Sequence, residues 1–346
     1  MARVFVGLSG GVDSAVSAAL LKEQGHDVTG VFIKIWSPEF LECTWRDDRL
    51  DAKRAAVSLK IPFLEIDLSR EYFNEVIRDM VENYKSGKTP NPDVLCNSVI
   101  KFGSFKKWAF EQGAEAIATG HYARIHHEQT RNVLMRGFDT SKDQSYFLYG
   151  LSEDDLAKIY FPVGDLTKIE VREKALALGL PVAKKPDSQG LCFVGDVSMR
   201  DFLKRFIDVS DGSVIDSDGR TIGTHEGAAL YTLGERHGFT VGNNSGEPYF
   251  ITDISVQKNT ITVSKKREDV LNKNARVSAM HWLTPSTQKS FSAHLVTRYR
   301  GPAVKALVTI VDSGAIFALD EKMLISPGQS LVIYKNDVVL GGGILD

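Results

Sequence analysis

The stretch Val4-Phe5-Val6-Gly7-Leu8-Ser9-Gly10-Gly11-Val12-Asp13-Ser14 decides how this chain is read. An apolar run precedes the glycines, and a helix-like segment from Ala15 to Gln24 follows them. Strand, Gly-rich turn and helix in that order form an anion cradle. The glycines let backbone N–H groups turn toward a phosphate, and the helix start adds unpaired donors and positive dipole character. Ser9 and Ser14 supply hydroxyl donors, and Asp13 is placed to hold Mg²⁺ or make a helix-start contact. The Gly-Lys-Ser/Thr ending of the common P-loop is missing, as is the dinucleotide glycine fingerprint. A merely structural glycine turn is the alternative, and six fitting positions in one context argue against it.

With 346 residues the chain is long enough for two or three domains with real cores. Charged residues at 25 % and hydrophobic ones at 43 % are ordinary for a soluble protein. No apolar run approaches a membrane span, and no signal peptide is visible, so a cytoplasmic, membrane-free monomer is expected. Cys43, Cys96 and Cys192 are too few, and odd in number, for a secreted disulfide framework. The net charge of −2 does not mark a nucleic-acid binder, but its distribution is uneven. Between 265 and 305 stand nine Lys/Arg against Glu268 and Asp269, giving +7, so the remainder carries −9. That window is either a phosphate-backbone footprint or a solvated charged face.

Strand and helix signals alternate at first: strands at Val4–Leu8, Val28–Ile33, Pro62–Ile66 and Ala114–Ala118, with helices at 15–24, 48–60, 72–84 and one capped by Asn97 and running to Gln112. Such alternation implies crossover units, a parallel sheet, and ligands at the strands' carboxyl ends. The loop after the first strand, Ile33 and Thr119-Gly120-His121 all fall there. Thr167 with Glu170 and Ser198 with Asp201 read as capping boxes. After that the texture turns β-rich, with a hairpin around Asp218-Gly219 and strand runs to Leu340. The expected organisation is a catalytic α/β domain at 1–205, a β-rich domain at 206–270 and a barrel-like domain at 271–346.

Cys96 closes the loop Thr89-Pro90-Asn91-Pro92-Asp93-Val94-Leu95, just before the helix expected to start at Asn97. That position favours a nucleophilic thiolate, and two prolines stiffen the loop. Cys192 lies in Lys184-Lys185-Pro186-Asp187-Ser188-Gln189-Gly190-Leu191-Cys192-Phe193, near positive charge and flanked by glycine. A small buried hydrophobe is the other reading of each thiol. Cys43 carries no such features and reads as incidental.

The form Ser-Gly-Gly-x-Asp-Ser resembles the pyrophosphate loop of enzymes that cleave ATP to AMP and pyrophosphate. Taken with Asn91-Pro92-Asp93, Cys96, Gly120-His121-Tyr122, Lys142-Asp143-Gln144-Ser145 and Gly190-Leu191-Cys192-Phe193, the chain resembles the tRNA-specific 2-thiouridylases along essentially its whole length. The resemblance implies a Rossmann-like, PP-loop N-terminal domain followed by two β-rich, barrel-like domains. It implies that Gly7, Leu8, Ser9, Gly10, Gly11, Val12, Asp13 and Ser14 hold ATP and Mg²⁺, with Ile33 and Gly120 near the adenosine. Ile33 stands where many relatives carry Met. The implied substrate is the wobble uridine of a tRNA. Its C2 oxygen is adenylated and then replaced by sulfur from a Cys192 persulfide, either by direct persulfide attack or after Cys96 releases it as sulfide, with a Cys96–Cys192 disulfide as one end state. Asp93 is implied as acid–base group beside the base, Asn91 as a positioning group, and Asn91, Pro92 and Asp93 together as contacts of the target tRNA. His121, Lys142, Asp143, Gln144, Arg298, Tyr299 and Gln329 are implied as tRNA contacts. A sulfur-relay protein or cysteine desulfurase is the implied donor. The rivals are another ATP pyrophosphatase acting on tRNA, an iron–sulfur cluster at Cys96, Cys192 and Asp93, and an RNA- or nucleotide-binding module without chemistry.

Overall fold

The computed structural model describes residues 1–40, 45–129, 131–187, 197–242, 246–284 and 286–346, so Cys43 and Cys192 lie outside the described residues. The N-terminal part contains β1 (Arg3–Gly7), β2 (Asp27–Lys34), β3 (Phe63–Asp67), β4 (Ala116–Ala118), the hairpin β5 (Ala123–His127) and β6 (Asn132–Arg136), and β7 (Ile159–Tyr160). Five of these form a parallel sheet in the order β3-β2-β1-β4-β7.

Side chains alternate across that sheet, as the pleat requires. Val4, Val6, Val28, Phe32, Ala116 and Ala118 face one layer, together with Ala18 and Leu21 of helix Val12–Glu23 and Ala52 and Ala56 of helix Trp45–Leu59. Phe5, Val31 and Ile117 face the other, where Ile77, Met80, Ile100 and Phe105 cover them. Both faces are therefore apolar, which is why these strands read as continuous hydrophobic runs. Helix Lys168–Ala177 packs on helix Val12–Glu23 through Val171 and Ala175 against Val12, Ala15 and Val16.

The central part holds β8 (Gly212–Ile215), β9 (Thr221–His225), β10 (Phe239–Val241), β11 (Phe250–Ser255) and β12 (Thr260–Ser264) in one sheet ordered β10-β9-β8-β12-β11. The expected hairpin at Asp218-Gly219 joins β8 to β9, with Gly219 at φ +80°. The C-terminal part contains β13 (Leu271–Trp282), β14 (Ser290–Val296), β15 (Val304–Val311), β16 (Gly314–Leu324), β17 (Ser330–Lys335) and β18 (Val338–Leu345). These six close into a barrel, because β18 pairs with both β17 and β13. Its interior is Val277, Leu295, Val308, Phe317, Leu331 and Ile333.

The barrel is not a detached module. Val338 of β18 pairs with Met135 of β6, so the N-terminal hairpin extends the barrel sheet. Gly341-Gly342-Gly343 occupy β18 where it forks between two partners. A Cβ on Gly341 would stand 2.2 Å from the His281 carbonyl oxygen, and one on Gly342 2.7 Å from the Tyr149 ring. Glycine inside a strand marks such a close approach. Tyr146 donates to the Ser330 carbonyl at 2.8 Å and the Tyr149 hydroxyl meets Ser330 Oγ at 3.2 Å, completing the joint.

Candidate functional site

The loop after β1 opens at the carboxyl edge of the parallel sheet. Gly10 adopts φ +78°, and a Cβ there would stand 2.3 Å from the Asp48 carbonyl oxygen, so only glycine fits. Ser14, buried, donates to the Gly11 carbonyl at 3.2 Å and accepts from the Ser9 N–H at 3.2 Å, which shapes the turn. Helix Val12–Glu23 then starts at Gly11 with no side-chain cap. Its first-turn N–H groups have no intrahelical acceptor and face the loop's mouth. Gly120, just beyond β4, lies against this start: a Cβ on it would come 2.7 Å from the Ser14 nitrogen. Gly7 has Ile33 Cδ1 about its side, 3.6 Å from where a Cβ would be. Gly7 to Ser14, Ile33 and Gly120 are thus one cluster, as the sequence led us to expect, and the backbone concavity suits a polyphosphate.

Asp13 is engaged by Lys168, which the sequence did not single out, and by Tyr122. Lys168 Nζ reaches its two carboxylate oxygens at 2.6 and 2.9 Å, and the Tyr122 hydroxyl donates to it at 2.8 Å. Lys168 also pairs with Asp187 at 2.9 Å, and Asp187 pairs with Lys142 at 2.7 Å and Arg172 at 2.6 Å. Burial alone would raise the Asp187 carboxyl, but the bonds from Lys142 and Lys168 hold it well below the usual carboxylate range. Arg172 fastens the same segment by donating to the carbonyls of Ala183 and Lys185 at 2.9 and 2.5 Å. A chain of ion pairs therefore runs from the phosphate loop to the residue preceding segment 188–196, which carries Cys192. Among the described residues no three His, Cys, Asp or Glu stand together to hold a metal. A Mg²⁺ here would take Asp13 and the substrate's own phosphates, as is usual for that ion.

The second half of the site is the helix carrying Cys96. Asn91, not Asn97, is its cap: Asn91 Oδ1 accepts from the Val94 N–H at 3.3 Å and Pro92 takes the first helical position. Asn97 lies inside the helix, buried, donating to the Asp93 carbonyl at 3.0 Å. The earlier start corrects the expectation of a loop cysteine before a helix. Asn followed by Pro is the better start signal, since Pro has no N–H to lose at that position. Cys96 is consequently in the helix and 6 % exposed. From Cys96 to Phe105 the winding is a π-helix, a form often found at functional sites. Closure by i→i+5 bonds brings Lys101 round toward the side of Cys96.

Lys101 Nζ approaches His121 Nε2 at 3.4 Å, and His121 Nδ1 meets Thr119 Oγ1 at 2.7 Å. Because an ammonium only donates, the network assigns the ring proton to Nδ1. Burial, and secondly Lys101, push the His121 pKa well below its ordinary value, so the ring is neutral. Burial pushes the Asp93 carboxyl up, with Lys101 partly opposing, the direction that strengthens a carboxylate as a proton acceptor. His121 joins the two halves, since it follows Gly120 directly and faces the Cys96 helix through Phe102 at 5.9 Å.

The residues expected at tRNA are placed variously. Asp143 is buried and its oxygens accept from Arg136 at 3.0 Å and from the Gly137 and Ser145 N–H groups at 3.0 Å. Gln144 Oε1 accepts from the Tyr122 N–H at 3.0 Å. Arg298 is exposed, while Tyr299 packs on Phe147 with ring centroids 4.6 Å apart. Arg298 lines a groove of about 830 Å³ between the central part and the barrel, with Arg236, Arg267, Lys322 and Gln329.

Three family models match in succession: residues 2–196 a tRNA methyl transferase HUP domain, 200–265 a tRNA methyl transferase PRC-barrel domain, and 272–345 an aminomethyltransferase beta-barrel domain. The tRNA-specific 2-thiouridylase MnmA of Chromobacterium violaceum is 41 % identical over 352 residues, spanning 99 % of this chain and 92 % of that protein. This chain belongs to the MnmA family. Similar figures hold for MnmA 1 of Geobacillus kaustophilus, at 41 % identity over 99 % of this chain and 95 % of the relative, and for MnmA of Streptococcus uberis, at 40 % over 99 % and 95 %. Among solved structures, the U34-tRNA thiolase NcsA from Methanococcus maripaludis matches at 20 % identity and a TM-score of 0.37, over 59 % of this chain and 64 % of that one. The MnmA family thus has here its α/β domain with a phosphate loop, followed by two β-rich parts. No helix among the described residues is long and apolar enough to cross a membrane.

Proposed function

We propose that this protein is an ATP-dependent tRNA uridine 2-sulfurtransferase acting on the wobble position. The observation that carries the reading is the meeting of a phosphate cradle and a Cys96-bearing helix through Gly120, His121 and Lys101. Gly7 to Ser14 would hold the ATP phosphates, with Ile33 and Gly120 beside the adenosine. Asp13 would hold Mg²⁺, whose charge offsets that of the polyphosphate. The uridine must leave its stack to reach this edge. Its C2 oxygen then attacks the α-phosphorus, forming an adenylated base and expelling pyrophosphate. Asp93, with Asn91 and Pro92 setting its helix, takes and returns the proton.

Sulfur arrives as a persulfide on Cys192, charged by a sulfur-relay protein or a cysteine desulfurase. When the persulfide's terminal sulfur attacks C2, AMP leaves and the base is tethered to Cys192 through an S–S bond. Attack of the Cys96 thiolate on Cys192 Sγ then releases the thiolated uridine and leaves a Cys96–Cys192 disulfide for an external thiol to reduce. His121, Lys142, Asp143, Gln144, Arg298 and Tyr299 are proposed to organise the tRNA. Arg298, exposed in the interdomain groove, suits a phosphate contact; buried Asp143 and His121 suit indirect roles.

The test is mass analysis of wobble nucleoside from tRNA incubated with the protein, ATP, Mg²⁺ and a sulfur source. 2-Thiouridine with equimolar AMP is expected, and Cys96→Ser should reduce it at least about 100-fold while leaving the fold intact. Full thiolation by the Cys96→Ser and Cys192→Ser proteins would overturn the two-thiol reading. An iron-dependent visible band in anaerobically purified protein would favour the cluster route.

A further inference from the structure

We propose that Lys101 is a catalytic residue of the thiolation: its ammonium meets the α-phosphate of ATP and holds the negative charge that gathers there. This inference rests on the function proposed above.

Lys101 lies on the helix that carries Cys96, and that helix runs toward the phosphate loop. About one turn beyond Lys101, Phe105 Cε1 stands 3.8 Å from where a Cβ on Gly7 would be. From the other side comes His121, whose Nε2 is 3.4 Å from Lys101 Nζ. His121 follows Gly120, and Gly120 abuts the start of helix Val12–Glu23 at Ser14. The ammonium therefore stands between the element that presents a thiol and the residues that border the nucleotide.

Its surroundings lack the counter-charge that neighbouring lysines have. Lys142, Lys168 and Lys185 each hold a carboxylate, at 2.7, 2.6 and 2.7 Å. Lys106, farther along the same run of helix, holds Asp155. Lys101 is half-buried, and among the described residues it makes no ion pair. Its partner His121 is a neutral ring. Asp93 is near enough to feel the charge, yet the two do not pair. A cation drawn out of water is costly unless an anion answers it, so this one is set for an anion that the site receives.

The chemistry names that anion. The glycine loop and the helix start suit the outer phosphates of ATP, which depart as pyrophosphate. The α-phosphate must lie where the C2 oxygen of the base can reach it, beside Asp93 and Cys96. When that oxygen bonds to the α-phosphorus, the bond to the bridging oxygen breaks and its electron pair leaves with pyrophosphate. Charge builds on the free α-phosphate oxygens meanwhile, and the uridine N3 proton passes to Asp93. When sulfur later bonds to C2, the C2–O bond breaks and its electron pair leaves with AMP, which gains a second negative charge. A fixed ammonium stabilises both transition states more than it stabilises bound ATP.

Lys101→Met keeps the stem and removes the charge. With the full-length protein at saturating ATP, Mg²⁺ and tRNA, single-turnover pyrophosphate release should fall about 100-fold, the scale of one lost electrostatic donor. Lys101→Arg keeps the charge and should stay within about tenfold of normal. The tRNA dissociation constant should stay within about twofold and its salt slope unchanged in both. The deciding measurement uses ATP with sulfur in place of a free α-phosphate oxygen. One of its diastereomers should slow the unaltered protein about tenfold, because sulfur accepts a hydrogen bond poorly, and should slow Lys101→Met less than about twofold. An equal sulfur effect in both proteins would overturn the proposal, and so would a Lys101→Met rate within about threefold of normal. Lys101→Gln stands in if Lys101→Met does not fold. If the unaltered protein releases no pyrophosphate with tRNA, the functional reading has failed, and the binding of AMP and adenosine still decides the role of Lys101. Preference for AMP over adenosine should then drop about tenfold in Lys101→Met, and an unchanged preference would refute the assignment.

Discussion

Replacing Lys168 by Met would remove the cation shared by the phosphate loop and the segment preceding Cys192, with most of the aliphatic stem preserved. Lys168 makes two bonds to Asp13 and one to Asp187, and its own side chain is 14 % exposed. Hydrogen bonds to charged groups contribute about 1.5–3 kcal/mol when buried, and exposed ion pairs about 0–1. The two carboxylates are 31 % and 27 % exposed and keep other partners, Tyr122 for Asp13 and Lys142 with Arg172 for Asp187. The net loss is therefore about 1.5 kcal/mol. At roughly 2.1 cal/mol/K per residue, melting of the whole 346-residue chain as one unit gives a Tm lower by about 2 °C, and separate melting of some 200 N-terminal residues about 4 °C. With no Mg²⁺ bound, the loop would also present Asp13 to ATP with its charge uncompensated. One such charge at about 8–10 Å and an effective dielectric near 20 repels by about 1–2 kcal/mol, so the dissociation constant of Mg²⁺-free ATP should rise roughly tenfold. Scanning calorimetry and titration with ATP in EDTA measure the two effects. An unchanged Tm together with a dissociation constant within twofold would refute the reasoning.

Asp143→Ala should cost about 3 kcal/mol in urea unfolding, because it strands the Arg136 guanidinium and two buried N–H groups; a loss below 1 kcal/mol would mean that the turn finds other acceptors. Asp187 has a depressed folded pKa, so its stabilising contribution is present above its unfolded value near 4 and disappears as pH falls through the lower folded value. Asp187→Asn should accordingly flatten the acid side of the stability profile below about pH 4, and a profile parallel to the unaltered protein's would exclude that linkage. Arg298→Ala should weaken tRNA binding and lower the salt slope by roughly one; filter binding at several salt concentrations checks this, and an unchanged slope removes Arg298 from the interface.

Local signals carried much of this molecule. The apolar run, the glycines and the helix of the phosphate loop are contiguous, and the Thr167–Glu170 capping box forms as written, with Glu170 accepting from the Thr167 N–H at 2.7 Å. The parallel sheet followed from strand and helix spacing alone. The start of the Cys96 helix was legible too, but in Asn91-Pro92 rather than in Asn97. Lys101, Lys168 and Asp187 gave no local sign, because each gains its meaning from a partner 15 to 155 positions away. Strand β13 has a weak local signature, since its buried Ala275 and Val277 stand among exposed Asn274, Arg276 and Ser278 inside the basic window. The β5–β6 hairpin was hidden by lying inside the α/β portion while pairing with the barrel.

Strand β18 serves three neighbours at once: β13, β17 and β6. Until its eight residues are in place, each of those strands presents an open row of N–H and C=O groups, the template on which chains stick to one another. Ribosomal synthesis makes it after all three of those partners, so the nascent protein carries three adhesive borders until β18 has emerged. Premature termination before Val338 should then yield aggregates, with no useful fragment, even though the nucleotide-handling half would be fully synthesised.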